Sequence, residues 1–160
     1  MMNDLSLKGQ KVFLINIEDK NNLQDSAAIL EKREQQKHME LLIMLKSCNK
    51  KLGRIYSYNY NKIDGYIYIN LIFNEEEDEE IILEACDMFT NYLFTCFPIR
   101  KVYYETCDYL LEKINIKVLK KLKFKLEADL KEDSFFNGKY YSRYILALYR
   151  EEFEENKDGK

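Results

Sequence analysis

Proline and glycine are scarce in this chain, one and five residues out of 160. The sequence therefore offers no flexible linker and no compositional boundary. One domain over residues 1–153, followed by a charged tail over 154–160, is the simplest organisation. Histidine is rarer still: His38, the single one, lies in a polar stretch and reads as a surface residue. The four cysteines (Cys48, Cys86, Cys96, Cys107) show no CxxC spacing and no histidine cluster beside them. That pattern argues against zinc and for structural thiols in a reducing cytoplasm. Basic residues are not in excess, since the net charge is −3. Phosphate-backbone binding needs concentrated Lys and Arg, so nucleic acid is not an expected partner. No apolar run approaches the roughly 18–20 residues that cross a bilayer, so no membrane is expected. Met1–Gln10 is polar where a secretory signal would be apolar. A cytoplasmic location is the expectation.

What is present is a globular balance, 46% apolar and 33% charged, rich enough in apolar residues to build one core. Lys11–Ile17 reads as a strand and Asn21–His38 as a helix with a weak apolar stripe. Glu40–Ser47 is a continuous apolar run, expected as a buried strand, and Cys48–Leu52 a polar turn. From Gly53 the residues alternate, placing Tyr56, Tyr58 and Tyr60 on one face of a strand. Asn61–Gly65 contains Asp-Gly, a hairpin signal, and Tyr66–Phe73 is the returning strand. Ile81, Ile82, Ala85, Met88, Phe89, Tyr92, Leu93, Cys96 and Phe97 follow helical spacing, and Pro98 ends that helix. Val102–Thr106 reads as a strand and Glu112–Leu122 as a short basic helix. Phe124–Lys131, the Asn137-Gly138 turn and Tyr141–Glu151 form a closing hairpin, and the charged stretch from Glu152 is expected to fray.

This order, and the text of its C-terminal half, resembles the GCN5-related N-acetyltransferase (GNAT) superfamily, in particular its ribosomal-protein and spermidine branch. The similarity is carried by Val118-Leu119-Lys120-Lys121-Leu122-Lys123-Phe124, by Glu127-Ala128-Asp129-Leu130-Lys131, by Asn137-Gly138-Lys139-Tyr140-Tyr141, and by Tyr144 through Phe153. The resemblance implies an α+β fold, a twisted and mostly antiparallel mixed sheet flanked by helices. In it the strands Tyr66–Phe73 and Val102–Thr106 splay apart. Acyl-coenzyme A would lie in that wedge against Leu71, Ile72 and Phe73, and an amine would enter from the other side. Transfer in the family is direct attack by a neutral amine, helped by a base and by a group that protonates the leaving thiolate.

The departures fall on functional positions. The family's diphosphate loop is rich in glycine with a leading Arg or Gln, whereas this chain reads Asn74-Glu75-Glu76-Glu77-Asp78-Glu79-Glu80. Asn74 as N-cap with Glu77 three residues on would make a capping box, and acids in a first helical turn add roughly 0.3–1 kcal/mol each. Two like charges ~4 Å apart near a surface repel by about 4 kcal/mol before screening, so a diphosphate is disfavoured here. Glu112 stands where the family has Asn, Asn115 where it has a thiolate-assisting Ser, Leu119 near a Tyr, and Lys123 in place of Gly.

Glu105 is a candidate base, against a solvated strand-end acid. Cys107 is a candidate nucleophile, against a packed thiol. Tyr56, Tyr58, Tyr66 and Tyr68 are candidates for an acceptor pocket, against plain coverage of a sheet face. Lys113, Lys117, Lys120 and Lys121 form a basic patch that would supply charge for a phosphate or an acyl-carrier protein, or else balance the acidic run. Two functions follow. One is an acyltransferase with an atypical donor site, moving an acyl group from acyl-coenzyme A or a carrier thioester to an amine on a small molecule or protein. The other is a catalytically inactive GNAT-derived module that binds proteins. A monomer or homodimer is expected.

Overall fold

The computed structural model describes residues 5–16, 37–110 and 116–158. Its eight strands are β1 (Ser6–Lys8), β2 (Val12–Asn16), β3 (Lys37–Leu45), β4 (Lys50–Asn61), β5 (Tyr66–Phe73), β6 (Lys101–Cys107), β7 (Lys125–Phe136) and β8 (Lys139–Tyr149). They form one sheet in the order β1-β2-β3-β4-β5-β6-β8-β7. Every neighbouring pair is antiparallel except β5–β6, which is parallel. The helices are α1 (Glu79–Cys96), α2 (Ile116–Lys121) and α3 (Arg150–Asp158). This is the mixed α+β architecture expected from the resemblance.

Alternation sorts the sheet into two faces. One presents Leu14, Ile43, Leu41, Ile55, Ile67, Ile69, Val102, Tyr104, Leu146 and Leu148 to the main core. Helix α1 closes that core with Ile81, Ala85, Cys86, Phe89, Thr90, Leu93 and Phe94. The buried stripe is thus rotated from the expected one. Cys86, Thr90 and Phe94 are inside, whereas Cys96 is exposed and Phe97 is the C-cap.

Several expectations need correction. Lys37 and His38 belong to β3 rather than to a preceding helix, and the rest of the expected helix lies outside the described residues. β4 begins at Lys50, inside the expected turn. Asn59 adopts a left-handed φ of 49° at a register shift between Tyr58 and Asn61. The bulge turns Tyr60 out of line with Tyr56 and Tyr58. Tyr60 packs instead against Phe97 and His38, at ring distances of 5.5 and 5.1 Å. The capping box does not form: Asp78 is the N-cap of α1 and makes no side-chain cap, while Asn74 donates to the Lys51 carbonyl at 3.3 Å. The charged stretch after Tyr149 is helical as far as Asp158. Phe153 buries itself against Phe94, with centroids 5.2 Å apart. Arg150 anchors that helix by donating to the Ile99 and Phe97 carbonyls, each at 2.8 Å.

The turns follow their sequence. Asn137 and Gly138 both take left-handed φ, 47° and 78°, as a two-residue hairpin turn demands. At the end of α2, Lys123 N–H donates to the Lys120 carbonyl and Phe124 N–H to the Leu119 carbonyl, both at 3.0 Å. These bonds define a Schellman cap, whose left-handed residue is usually glycine. Lys123 occupies it with φ 70°, at the position where the family carries Gly. A side chain in that region costs roughly 1–2 kcal/mol. Lys123→Gly should therefore raise stability by about 1 kcal/mol, read as a higher urea midpoint with unchanged slope; a lower midpoint would refute the assignment.

Candidate functional site

The parallel pairing of β5 with β6 runs from Tyr66↔Lys101 to Ile69↔Tyr104 and stops there. Both strands continue, β5 to Phe73 and β6 to Cys107. Each keeps its outer partner: Phe73 still pairs with Gly53 of β4, and Cys107 with Arg143 of β8. Twist carries the two halves of the sheet apart and a wedge opens between them. Gly53 makes the β4 side possible, because a Cβ there would sit 2.1 Å from the Ile72 carbonyl oxygen.

Asn74 N–H donates across to the Leu52 carbonyl of β4. Peptide groups alternate direction along a strand, so Asn74 and Ile72 face β4 while Leu71 and Phe73 face the wedge. Leu71 N–H is the first group past the last β5–β6 rung. It donates to Oδ1 of its own neighbour Asn70 at 2.8 Å. The same oxygen accepts from Tyr104 Oη at 3.4 Å, and Asn70 Nδ2 donates to Tyr56 Oη at 3.0 Å. Burial pushes the Tyr104 phenol up, so it stays protonated and able to donate.

The face opposite α1 is polar and aromatic. Tyr58 and Tyr68 lie 5.4 Å apart, Tyr68 and Tyr103 4.9 Å, and Tyr66 and Tyr103 5.5 Å, a ladder across β4, β5 and β6. Beside it Glu105 is buried, 6% exposed, and ion-paired to Arg143 Nη1. Arg143 Nε lies 2.6 Å from Asp133. Burial first, then the Glu105 charge, pushes Tyr58 up and Tyr68 up to about 12. At the base of β6, Lys101 donates to Glu127 at 2.6 Å and to Tyr103 at 2.7 Å.

The acids at the start of α1 do not face one another. Glu75 pairs with Lys50 at 3.0 Å, Glu79 with Lys121 of α2, and Glu80 with Lys11. Glu84 accepts the backbone N–H groups of Lys11 and Val12, at 2.8 and 2.9 Å.

The wedge thus gathers Leu71, Phe73 and, on its β6 edge, Glu105 and Cys107. Ile72 turns its backbone toward β4 instead. Glu105 is buried and paired, not a solvated strand-end acid. Cys107 is buried. Tyr56 and Tyr58 are buried whereas Tyr66 and Tyr68 are half-buried. Lys117 lies on α2, exposed; Lys113 and Asn115 lie outside the described residues. Sequence reasoning missed Asn70, Tyr104 and Arg143. Asn70 had a signal, an amide inside an otherwise apolar and aromatic strand. Among the described residues no cluster of His, Cys, Asp and Glu could hold a metal, and no helix is long and apolar enough to cross a membrane.

No protein-family model matches the chain, and neither does any curated protein. Solved structures do. One is the N-terminal domain of a ribosomal-protein-alanine acetyltransferase from Clostridium acetobutylicum, with TM-score 0.65 and 16% identity over 94% of this chain and 99% of that one. A GCN5-related N-acetyltransferase from Brucella melitensis gives TM-score 0.77 and 13% identity, over 98% and 83%. Mutant forms of the spermidine/spermine N-acetyltransferase of Vibrio cholerae give 0.66 and 15%, over 74% and 68%. At such identities the likeness is one of fold: the chain has the fold of the GCN5-related N-acetyltransferases.

Removing one member of a buried ion pair costs about 3–5 kcal/mol, while replacing both with apolar groups is often neutral. Arg143→Met should therefore cost about 3 kcal/mol in urea denaturation, and most of it should return in Arg143→Met/Glu105→Leu. If the double variant is as unstable as the single one, the Arg143–Glu105 pair is not the source of the loss.

Proposed function

We propose that the protein is an N-acyltransferase that moves an acyl group, acetyl in the simplest case, from an acyl thioester to an amine. The single observation that carries this reading is the parting of β5 and β6 beyond Ile69 and Tyr104. The edge at Leu71 and Phe73, past the last β5–β6 rung, is where the amide-bearing arm of a thioester donor adds as a short strand. The donor's reactive end then lies near Glu105 and the tyrosine ladder. The amine nitrogen attacks the thioester carbonyl, the N–C bond forms and the C–S bond breaks. The nitrogen gives up a proton and the thiolate gains one.

Glu105 is the carboxylate at hand on the wedge. Held by Arg143, it is suited to orient the amine and to receive its proton through solvent. Asn115 keeps the role the resemblance gives it, donating to the thiolate. Cys107 is a packed thiol with no place in a direct transfer. The acceptor is an amine on a small molecule or a protein. The relatives of like fold act, by their names, on a ribosomal protein or on spermidine and spermine.

The donor site is atypical. A diphosphate at the start of α1 would meet Glu79 and Glu80 in the first turn. Those two acids pair with Lys121 and Lys11, but Glu76, Glu77 and Asp78 stand beside them, so the local charge stays negative. A carrier-protein thioester, which has one phosphodiester and no adenosine, suits this loop better than coenzyme A does, with the basic patch of Lys113 and Lys117 to meet it. A second reading, an inactive binding module, is favoured by the exposed Phe135–Tyr140 ring pair, 5.0 Å apart at the tip of the β7–β8 hairpin.

Thermal unfolding with acetyl-coenzyme A and longer acyl derivatives separates the two readings. A donor at 100 times its Kd should add about 2.7 kcal/mol of stability. Replacing Glu75, Glu76 and Glu77 with Lys should tighten coenzyme A binding. No stabilisation by any thioester would rule out the transferase.

A further inference from the structure

We infer that Asn70 is a latch built into the wedge: its amide holds the backbone position a donor must use, so an acyl thioester enters only as that side chain swings out. The inference rests on the transferase reading above and concerns how its site is kept closed at rest.

Asn70 is an unfavourable choice for this position. Asparagine is depleted in strands, and a buried amide must find partners or cost stability. Here it is 6% exposed, and its oxygen finds both of its partners, Leu71 and Tyr104, at the mouth of the wedge. Nδ2 reaches Tyr56 on β4, Oδ1 takes the Leu71 N–H, and Oδ1 also accepts from Tyr104, the last residue of β6 that pairs with β5. One side chain thereby ties the strands on both sides of β5 and satisfies the first backbone donor that β6 leaves unpaired. Side chains of this type compete with backbone partners for such groups. The competition is direct: a donor strand on the β5 edge needs the Leu71 N–H, and the Asn70 oxygen already has it. The Tyr104 contact is the longest of the three bonds, and it is the one that crosses the wedge. Phe73 N–H, two residues on, is the next group on the same edge.

The exchange is of one neutral hydrogen bond for another, so freeing the Leu71 N–H should improve donor affinity by about two- to tenfold. The test uses the whole chain with Asn70→Ala and, as probe, acetyl-pantetheine, which has no phosphate and so bypasses the acidic loop. Without ligand, Leu71 N–H should exchange slowly in the wild type and at least about tenfold faster in Asn70→Ala; equal rates overturn the latch. In calorimetric titration Asn70→Ala should bind the probe about two- to tenfold more tightly. Equal or weaker binding overturns the latch while the transferase reading stands. No binding of acetyl-pantetheine or of any other thioester by either protein removes both. If Asn70→Ala fails to fold, the wild type decides alone. Its Asn70 side-chain amide protons should lose protection on saturation with acetyl-pantetheine, and retained protection overturns the latch.

Discussion

Backbone pairing between β5 and β6 lasts four residues and then yields to the pairing each strand has with its outer neighbour. Everything else about the candidate site depends on that competition. β5 follows β4 because Gly53 lets the two backbones approach where any side chain would strike the Ile72 carbonyl. β6 follows β8 as far as the Arg143 pairing at Cys107, and the Arg143–Glu105 ion pair reinforces it. Between them a strand edge is left without a strand. In a buried sheet such an edge is a liability unless something occupies it. Asn70 occupies part of it, locally and reversibly.

Charge is organised in two ways on the two faces. Near the start of α1, acids and lysines pair at the surface, each pair worth about 0–1 kcal/mol, and they link α1 to the β1–β2 turn, β4 and α2. On the opposite face, the Glu105–Arg143 pair and the Lys101 ammonium are largely withdrawn from water beside a tyrosine ladder, and Glu127 meets Lys101 from the exposed side. There, pairing avoids the much larger cost of a buried lone charge. Burial pulls the Lys101 ammonium down, but its bonds to Glu127, Tyr103 and Tyr149 outweigh that and hold it above the ordinary lysine range.

Much of the scaffold was legible because local chemistry and tertiary packing agree. Tyr66–Phe73 alternates and is a strand with those bounds; Asn137-Gly138 is the hairpin turn its residues demand. The misses have physical causes. Asn59 takes a left-handed φ and flips Tyr60, which strict alternation cannot foresee. The apolar spacing of α1 left out Cys86, Thr90 and Phe94, which the helix turns inside against the sheet. The closing helix looked like a fraying tail because a single residue, Phe153, supplies its buried anchor. Within the site, the resemblance pointed to the end of β5, and the bond from the Leu71 N–H to Asn70 was not legible, since a backbone–side-chain bond leaves no periodic trace.

The most direct measurement of the central claim, that the gap between β5 and β6 receives a thioester, is residue-resolved amide chemical-shift mapping during titration with an acyl thioester. The account predicts the largest shifts at Leu71, Phe73 and Glu105–Cys107, with smaller ones at the start of α1. Shifts centred elsewhere, for instance at the tip of the β7–β8 hairpin, or none at saturating thioester, would contradict it.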